Sequence, residues 1–282
     1  MTINCRGALL DLSVRPLVMG IINVTPDSFY DGNKYYGDVD MLCRRIDEVV
    51  EQGADIIDVG ACSSRPGASF ISEEEEWSRL ELALYLIGKR YPKAIVSVDT
   101  YRASIARMSV ENGASIINDI SAGSFDREMV RTLGDLNVPY ILTHIQGEPG
   151  NMQVSPAYSE KGVVHDVRLF LSQKIFELRK YGVKDILIDP GFGFGKRLND
   201  NYSLVNGLQQ LRILGLPILV GVSRKSMIYN YLNLTPQESL NGTTILNTIS
   251  LLSGANILRV HDVKEAREAV QIVMKIKEVG NV

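Results

Sequence analysis

Cysteine is scarce in this chain, with three residues (Cys5, Cys43 and Cys62) among 282. An odd, widely spaced set without a CxxC pair excludes a disulfide framework and predicts reduced thiols in a cytoplasmic protein. No cysteine nucleophile, histidine–carboxylate dyad or HExxH zinc helix is evident. Charge of one sign is also lacking. A net charge of −3 offers no general attraction for nucleic acid or an anionic membrane, so an anionic ligand must be held by local cations. No apolar run approaches membrane-spanning length, and the first residues lack a basic segment leading into an apolar one. No linker, low-complexity tract or charge block divides residues 1–282, which read as one domain. Apolar material is plentiful, at 45% against 22% charged residues, enough for a large core.

That material is distributed in a rhythm of eight short apolar runs. They are LVMGIINVT (17–25), DIIDVG (55–60), AIVSVDT (94–100), SIINDI (115–120), PYILTHI (139–145), DILIDP (185–190), PILVGVS (217–223) and ILRVHD (257–262). Between them lie stretches with helical spacing and acidic starts, such as SEEEEWSRLELALYLIGKRYP. Continuous apolar runs suit parallel strands covered on both faces. Eight units in this length predict a (β/α)8 barrel, with the first dozen residues as a short hairpin closing its bottom. Almost every run turns polar at its C-terminal end, at Asn23, Asp58, Asp99, Asn118, His144, Asp189, Ser223 and His261. Singly, each would be read as capping the next helix. As a set they belong to one barrel face, where such folds build their active sites.

The stretch GFGFGK (191–196) resembles a phosphate loop but fits none. A Walker A loop would need glycine at Pro190 and Ser or Thr at Arg197, and GxGxxG would need its last glycine at Lys196. NVTPDSFYDG (23–32) is long for a βα connection and reads as a covering loop, and CSSRPGA (62–68) offers hydroxyls and a guanidinium to an oxyanion. SRKS (223–226) and RVHD (259–262) put Arg224, Lys225, Arg259 and His261 at the last two strand ends, where barrels bind phosphate. The hard amide oxygen of Asn23 suits Mg2+ shared with a substrate phosphate better than zinc.

Together NVTPDSF, SSRPG, SVDT, INDI, DPGFGFGK, SRKS and RVHD, in this order and at these strand ends, resemble the dihydropteroate synthases of folate biosynthesis. The resemblance spans about residues 16 to 263. It implies an alkyl transferase that joins 6-hydroxymethyl-7,8-dihydropterin pyrophosphate to p-aminobenzoate and expels pyrophosphate, with Mg2+ at Asn23. It implies a pterin pocket of Asp99, Asn118, Asp189, Lys225 and Arg259, with Phe194 packed beside the ring. Pyrophosphate would lie on Asn23, Ser63, Ser64, Arg65, Arg259 and His261. Phe29 and Pro66 would wall the p-aminobenzoate site, Ser226 would receive its carboxylate, and Asp31 would pair with Arg65. The catalytic set is Asp99, Lys225, Asn23, Arg259 and His261. Chemistry agrees with the pterin assignment. A carboxylate such as Asp189 can accept from the adjacent 2-amino group and ring N–H, and Lys225 can donate to the ring carbonyl and N5.

Three positions depart from the family pattern. Cys62 stands where a glutamate is common, Ser64 replaces threonine, and Thr143-His144 replaces Met-His. The resemblance also implies a homodimer joined through the last helices. Two rivals remain: a pterin-binding methyltransferase acting on methyltetrahydrofolate, which has no use for a pyrophosphate cluster, and a non-catalytic pterin-binding homologue, which should have lost it.

Overall fold

The computed structural model describes residues 1–25, 39–62, 71–148, 150, 152 and 154–280. An antiparallel hairpin of β1 (Thr2–Cys5) and β2 (Ala8–Asp11) comes first. Its two-residue turn, Arg6–Gly7, has positive φ at both positions (54° and 96°), the geometry that matches strand twist in tight hairpins. Eight strands follow: β3 (Leu17–Asn23), β4 (Ile56–Gly60), β5 (Val96–Asp99), β6 (Ile116–Asp119), β7 (Tyr140–Thr143), β8 (Ile186–Asp189), β9 (Leu219–Val220) and β10 (Ile257–Val260). They form one parallel sheet in the order β8-β7-β6-β5-β4-β3-β10-β9. A further parallel bridge, Ile188 to Ile218, joins its two ends and nearly closes a barrel.

Helices follow the barrel strands: α1 (Val39–Glu51), α2 (Glu73–Arg90), α3 (Ala103–Glu111), α4 (Met129–Leu136), α5 (Val163–Lys180), α6 (Leu198–Gly207), α7 (Ser226–Leu232), α8 (Leu240–Leu252) and α9 (Val263–Val279). Helix α2 shows how sequence sets such boundaries. The Ser72 hydroxyl accepts the Glu75 amide at 3.2 Å, four glutamates fill the first turn, and Lys89 and Arg90 close the last. Each charge faces the helix end it stabilises. The predicted barrel is therefore observed, with shorter strands than the apolar runs suggest. PILVGVS contributes only Leu219 and Val220 to the sheet, because the chain turns at Gly221–Lys225 to build the mouth.

Inside the barrel, Leu17, Met19, Ile56, Ile116, Ile141, Leu187, Leu219 and Ile257 pack on one another and on Ile3, Cys5 and Leu12 of the hairpin region. The hairpin thus plugs the N-terminal end of the barrel, as expected from its place outside the rhythm. Side chains alternate along a strand. Two residues beyond this apolar layer, the same inward positions hold Asp58, Asn118, Thr143, Asp189, Gly221 and Arg259.

Candidate active site

That switch from aliphatic to polar residues on one parity is the floor of the site. Asp58 is fully buried and Asn118 nearly so, which is tolerable only because each is bonded. The Arg259 guanidinium reaches across the barrel, donating from Nε to Asp58 Oδ2 at 2.7 Å and from its other arm to Asp99 Oδ2 at 2.8 Å. Asn118 Nδ2 lies 3.3 Å from Asp58 Oδ2. Among the described residues no donor meets its side-chain amide oxygen, Oδ1, which can serve a ligand. Asp58 is the residue that sequence reasoning placed at a strand end and gave no role. Its inward parity with Ile56 was the available signal.

Burial pushes the Asp99 carboxyl up to about 7, against the pull of Arg259 and with Asp58 adding to it. Arg259 is also desolvated, yet Asp58 and Asp99 outweigh that and raise it further above its already high value. The guanidinium is therefore always charged. Asp189 is raised by burial and held down chiefly by Lys225; its Oδ1 accepts the Gly191 amide at 2.7 Å. Burial lowers Lys225 to about 8, with Asp189 opposing. The Lys225 ammonium donates to the Phe192 carbonyl and lies 4.5 Å from the centre of the Phe194 ring, a cation–π distance. The pterin-pocket residues predicted from sequence are thus brought together.

At the rim, Asn23 and Asp99 flank Gly60: a Cβ there would stand 3.7 Å from Asn23 Oδ1 and from Asp99 Oδ2. His261 Nδ1 lies 3.0 Å from the Ser223 hydroxyl, and Arg45 of α1 donates to the His261 carbonyl at 2.8 Å. Burial, then Arg259, lowers His261 to about 4, so its imidazole is neutral at pH 7. Ser226 opens α7 and is exposed.

Arg224 does not join this cluster, correcting the four-cation expectation. With φ at 53° it turns away from Lys225 and makes a two-pronged ion pair with Asp262, at 2.9 and 2.6 Å. It secures the loop instead of facing a ligand. Phe29, Asp31, Ser63, Ser64, Arg65 and Pro66 lie outside the described residues.

The departures acquire physical settings. Cys62 borders a buried cluster in which Glu76, fully buried, accepts from Thr100 Oγ1 at 2.7 Å and pairs with Arg102. Burial and then Glu76 raise the Cys62 thiol, so it stays protonated beside that carboxylate. A second carboxylate at that position would instead face the first. Arg102 also donates to the Ile71 carbonyl at 2.6 Å, so the cluster joins Cys62 at the end of β4 to Ile71 before α2. Thr143 is buried and pairs with Asp189 in the strand register, and His144 contacts Lys196 at 2.9 Å. Sequence reasoning missed this polar set, because its partners come from different strands and helices.

Comparison with known proteins agrees with this geometry. A family model described as "pterin binding enzyme" matches residues 19–261. Dihydropteroate synthase of Escherichia coli (strain K12) is 42% identical over 275 residues, covering 97% of this chain and 95% of that protein. The Bacillus subtilis (strain 168) enzyme is 37% identical over 280 residues, covering 99% and 95%. Among solved structures, the Yersinia pestis enzyme in a sulfonamide drug complex superimposes with a TM-score of 0.92 at 40% identity, covering 99% of this chain and 100% of that one. The Coxiella burnetii enzyme in complex with pteroic acid gives 0.88 at 35% identity, covering 99% of each. With likeness of this extent on a site of this design, the chain belongs to the dihydropteroate synthases, the alkyl transferases of folate synthesis among the pterin-binding enzymes.

Proposed function

We propose that the barrel mouth performs the dihydropteroate synthase reaction with Asp189, Asn118 and Lys225 gripping the pterin and Asn23, Arg259 and His261 facing the pyrophosphate. The observation that carries this reading is Arg259, held between Asp58 in the floor and Asp99 at the rim. One fixed cation can then lie against the flat ring and still meet the leaving group. Asp189 accepts from the 2-amino group and ring N–H, while Lys225 donates to the carbonyl and N5. Phe194 packs beside the ring, and Ser226 at the rim meets the p-aminobenzoate carboxylate. Ser63, Ser64 and Arg65 complete the pyrophosphate site, Asp31 pairs with Arg65, and Phe29 and Pro66 wall the second substrate.

The bond between the pterin methylene carbon and the pyrophosphate oxygen breaks, its electron pair leaving with the oxygen. Charge on that group is taken by Arg259, and His261 donates to it from Nε2, a preorganised electrostatic effect. The Asp99 carboxylate stabilises the carbocation left on the electron-rich dihydropterin. The amine of p-aminobenzoate is neutral near pH 7, so its lone pair forms the new C–N bond and its proton is lost to water. No strong base is required.

Mg2+ fits at Asn23. Hard oxygens of the Asn23 amide and the Asp99 carboxylate both come close to Gly60, and no cluster of three metal-binding His, Cys, Asp or Glu exists among the described residues. Asn23 would hold a cation whose remaining ligands come from pyrophosphate and water, and which offsets the leaving group's charge.

We expect purified protein with Mg2+ to release pyrophosphate only when both substrates are present, and chelation to stop it. Intact pterin binding without turnover would favour the non-catalytic homologue, and methyl transfer from methyltetrahydrofolate the other rival. The protein is also read as a homodimer. Ile245, Ile249 and Leu252 on α8 and Ile272, Ile276 and Val279 on α9 are exposed at helical spacing, forming two apolar stripes. Sedimentation that finds only monomer at micromolar concentration overturns that reading. The three cysteines are unpaired and no described helix is long and apolar enough to cross a membrane; we place the protein in the cytoplasm, where cell fractionation should find it.

A further inference from the structure

Lys196, the lysine that makes GFGFGK look like a phosphate loop, has no part in the reaction just described. It is buried, at 3% exposure, and its ammonium is turned onto the backbone of its own loop and the end of β7. Nζ lies 2.7 Å from the Gly191 carbonyl, 3.0 Å from the Phe194 carbonyl and 2.9 Å from His144 Nδ1, with the His144 carbonyl at 3.4 Å. An ammonium has three N–H donors, and the three short contacts use them all. None remains for a phosphate or any other ligand.

The loop that Lys196 grips is the one that touches the pterin-reading residues. The Gly191 amide donates to Asp189, the Phe192 carbonyl accepts from Lys225, and the Phe194 ring lies under the Lys225 ammonium. Carbonyls of one short loop are therefore divided between two lysines, with Lys225 on the ligand side and Lys196 behind. The loop also lies directly on the strand-end backbone. A Cβ at Gly191 would meet the His144 carbonyl at 1.8 Å, and one at Gly195 would meet the Gln146 carbonyl at 2.4 Å, both glycines having positive φ. Such close approach leaves no space for a side chain, so the grip from behind falls to Lys196.

We infer that Lys196 is a positioning residue for the pterin, stapling the glycine loop to the end of β7 so that Asp189, Lys225 and Phe194 meet the ring in register. Burial lowers the Lys196 ammonium well below its usual value, against the pull of Asp189, and His144 is pushed down to about 2 by burial and then by Lys196. The imidazole is thus neutral. With Lys196 charged, the Nδ1 lone pair accepts from the ammonium and the imidazole proton sits on Nε2.

The inference rests on the pterin reading of Asp189 and Lys225, and the test separates the two. Binding of 6-hydroxymethyl-7,8-dihydropterin would be measured by calorimetry on the wild-type protein and on Lys196→Met, His144→Leu and Asp189→Asn variants. KM for both substrates would be measured alongside. Lys196→Met should weaken the pterin about tenfold, the scale of losing a hydrogen bond from a charged group, with KM for p-aminobenzoate within about twofold. His144→Leu, which removes one acceptor and spares both loop carbonyls, should act in the same direction by a smaller factor, and decides the matter if Lys196→Met does not fold. Unchanged pterin affinity in a folded variant overturns the inference, as does an equal rise in both KM values, the sign of general loosening. Equal affinity of the wild-type and Asp189→Asn proteins overturns the pterin reading itself, and the inference with it.

Discussion

The two ends of this barrel are built from the same inward positions and do opposite things. At the bottom, Met19, Ile56, Ile141, Leu187 and Ile257 fill the interior and the hairpin seals it. One step up the same strands, Asp58, Asn118, Asp189 and Arg259 replace them. The lower layer is stabilised by burying apolar surface. The upper one carries a desolvation cost that is offset only by specific pairs, Arg259 with Asp58 and Asp99 and Lys225 beside Asp189. Stability and function are thus divided by height along the strands, so substitutions at the two levels should have separable consequences.

The largest expected effect lies at the mouth. Lys225→Ala should lower kcat/KM by about 100-fold or more, the scale of losing one preorganised donor, while the thermal midpoint moves little. Near-normal activity in steady-state assays would remove Lys225 from the pterin pocket. At the bottom, Leu187→Ala should reverse the pattern. It should cost about 2–5 kcal/mol of stability in denaturant unfolding, with KM values of the folded enzyme close to wild type; a large KM change would break the division.

A smaller effect sharpens the electrostatics of the upper layer. The Asp99 pKa is raised from 3.8 to about 7 in the fold, first by burial. Its protonated form is therefore favoured by folding, so its contribution to stability is full below pH 4 and is lost as pH rises through 7. Catalysis has the opposite requirement, since the carboxylate that stabilises the carbocation must be ionised. Activity should rise through about pH 7 as Asp99 loses its proton, then fall through about pH 8 as Lys225 loses its own. Asp99→Asn should abolish the acid limb of the kcat profile and flatten the stability slope between pH 4 and 7. An acid limb that persists would assign it to another group.

Much of this was legible in the chain. The polar residues ending DIIDVG, SVDT, INDI and DPGFGFGK and the cations of SRKS and RVHD marked the mouth, because strand ends and the loops after them are where a parallel barrel exposes chemistry. The partners of those residues were not legible. Charge and spacing alone do not tell Arg224 from Lys225, adjacent cations in one loop; only the family resemblance singled out Lys225, and a left-handed φ at Arg224 sends one to Asp262 and the other to Phe194. Likewise Asp58 sits in an apolar run, and its pairing with Arg259, 201 residues away, exists only once the barrel closes.

By itself the sequence determined the strand rhythm, the inward parity that carries both the apolar layer and the acids above it, and the family, since these depend on local periodicity and on motifs in a fixed order. Only the tertiary structure decided which charges face a ligand and which face one another. Lys196 shows the difference. Its place in GFGFGK resembled that of a phosphate-loop lysine without fitting the pattern, and the fold surrounds it with carbonyls and a neutral imidazole. An ammonium bonds to whatever acceptors surround it, and here those come from a loop folded back onto the end of another strand.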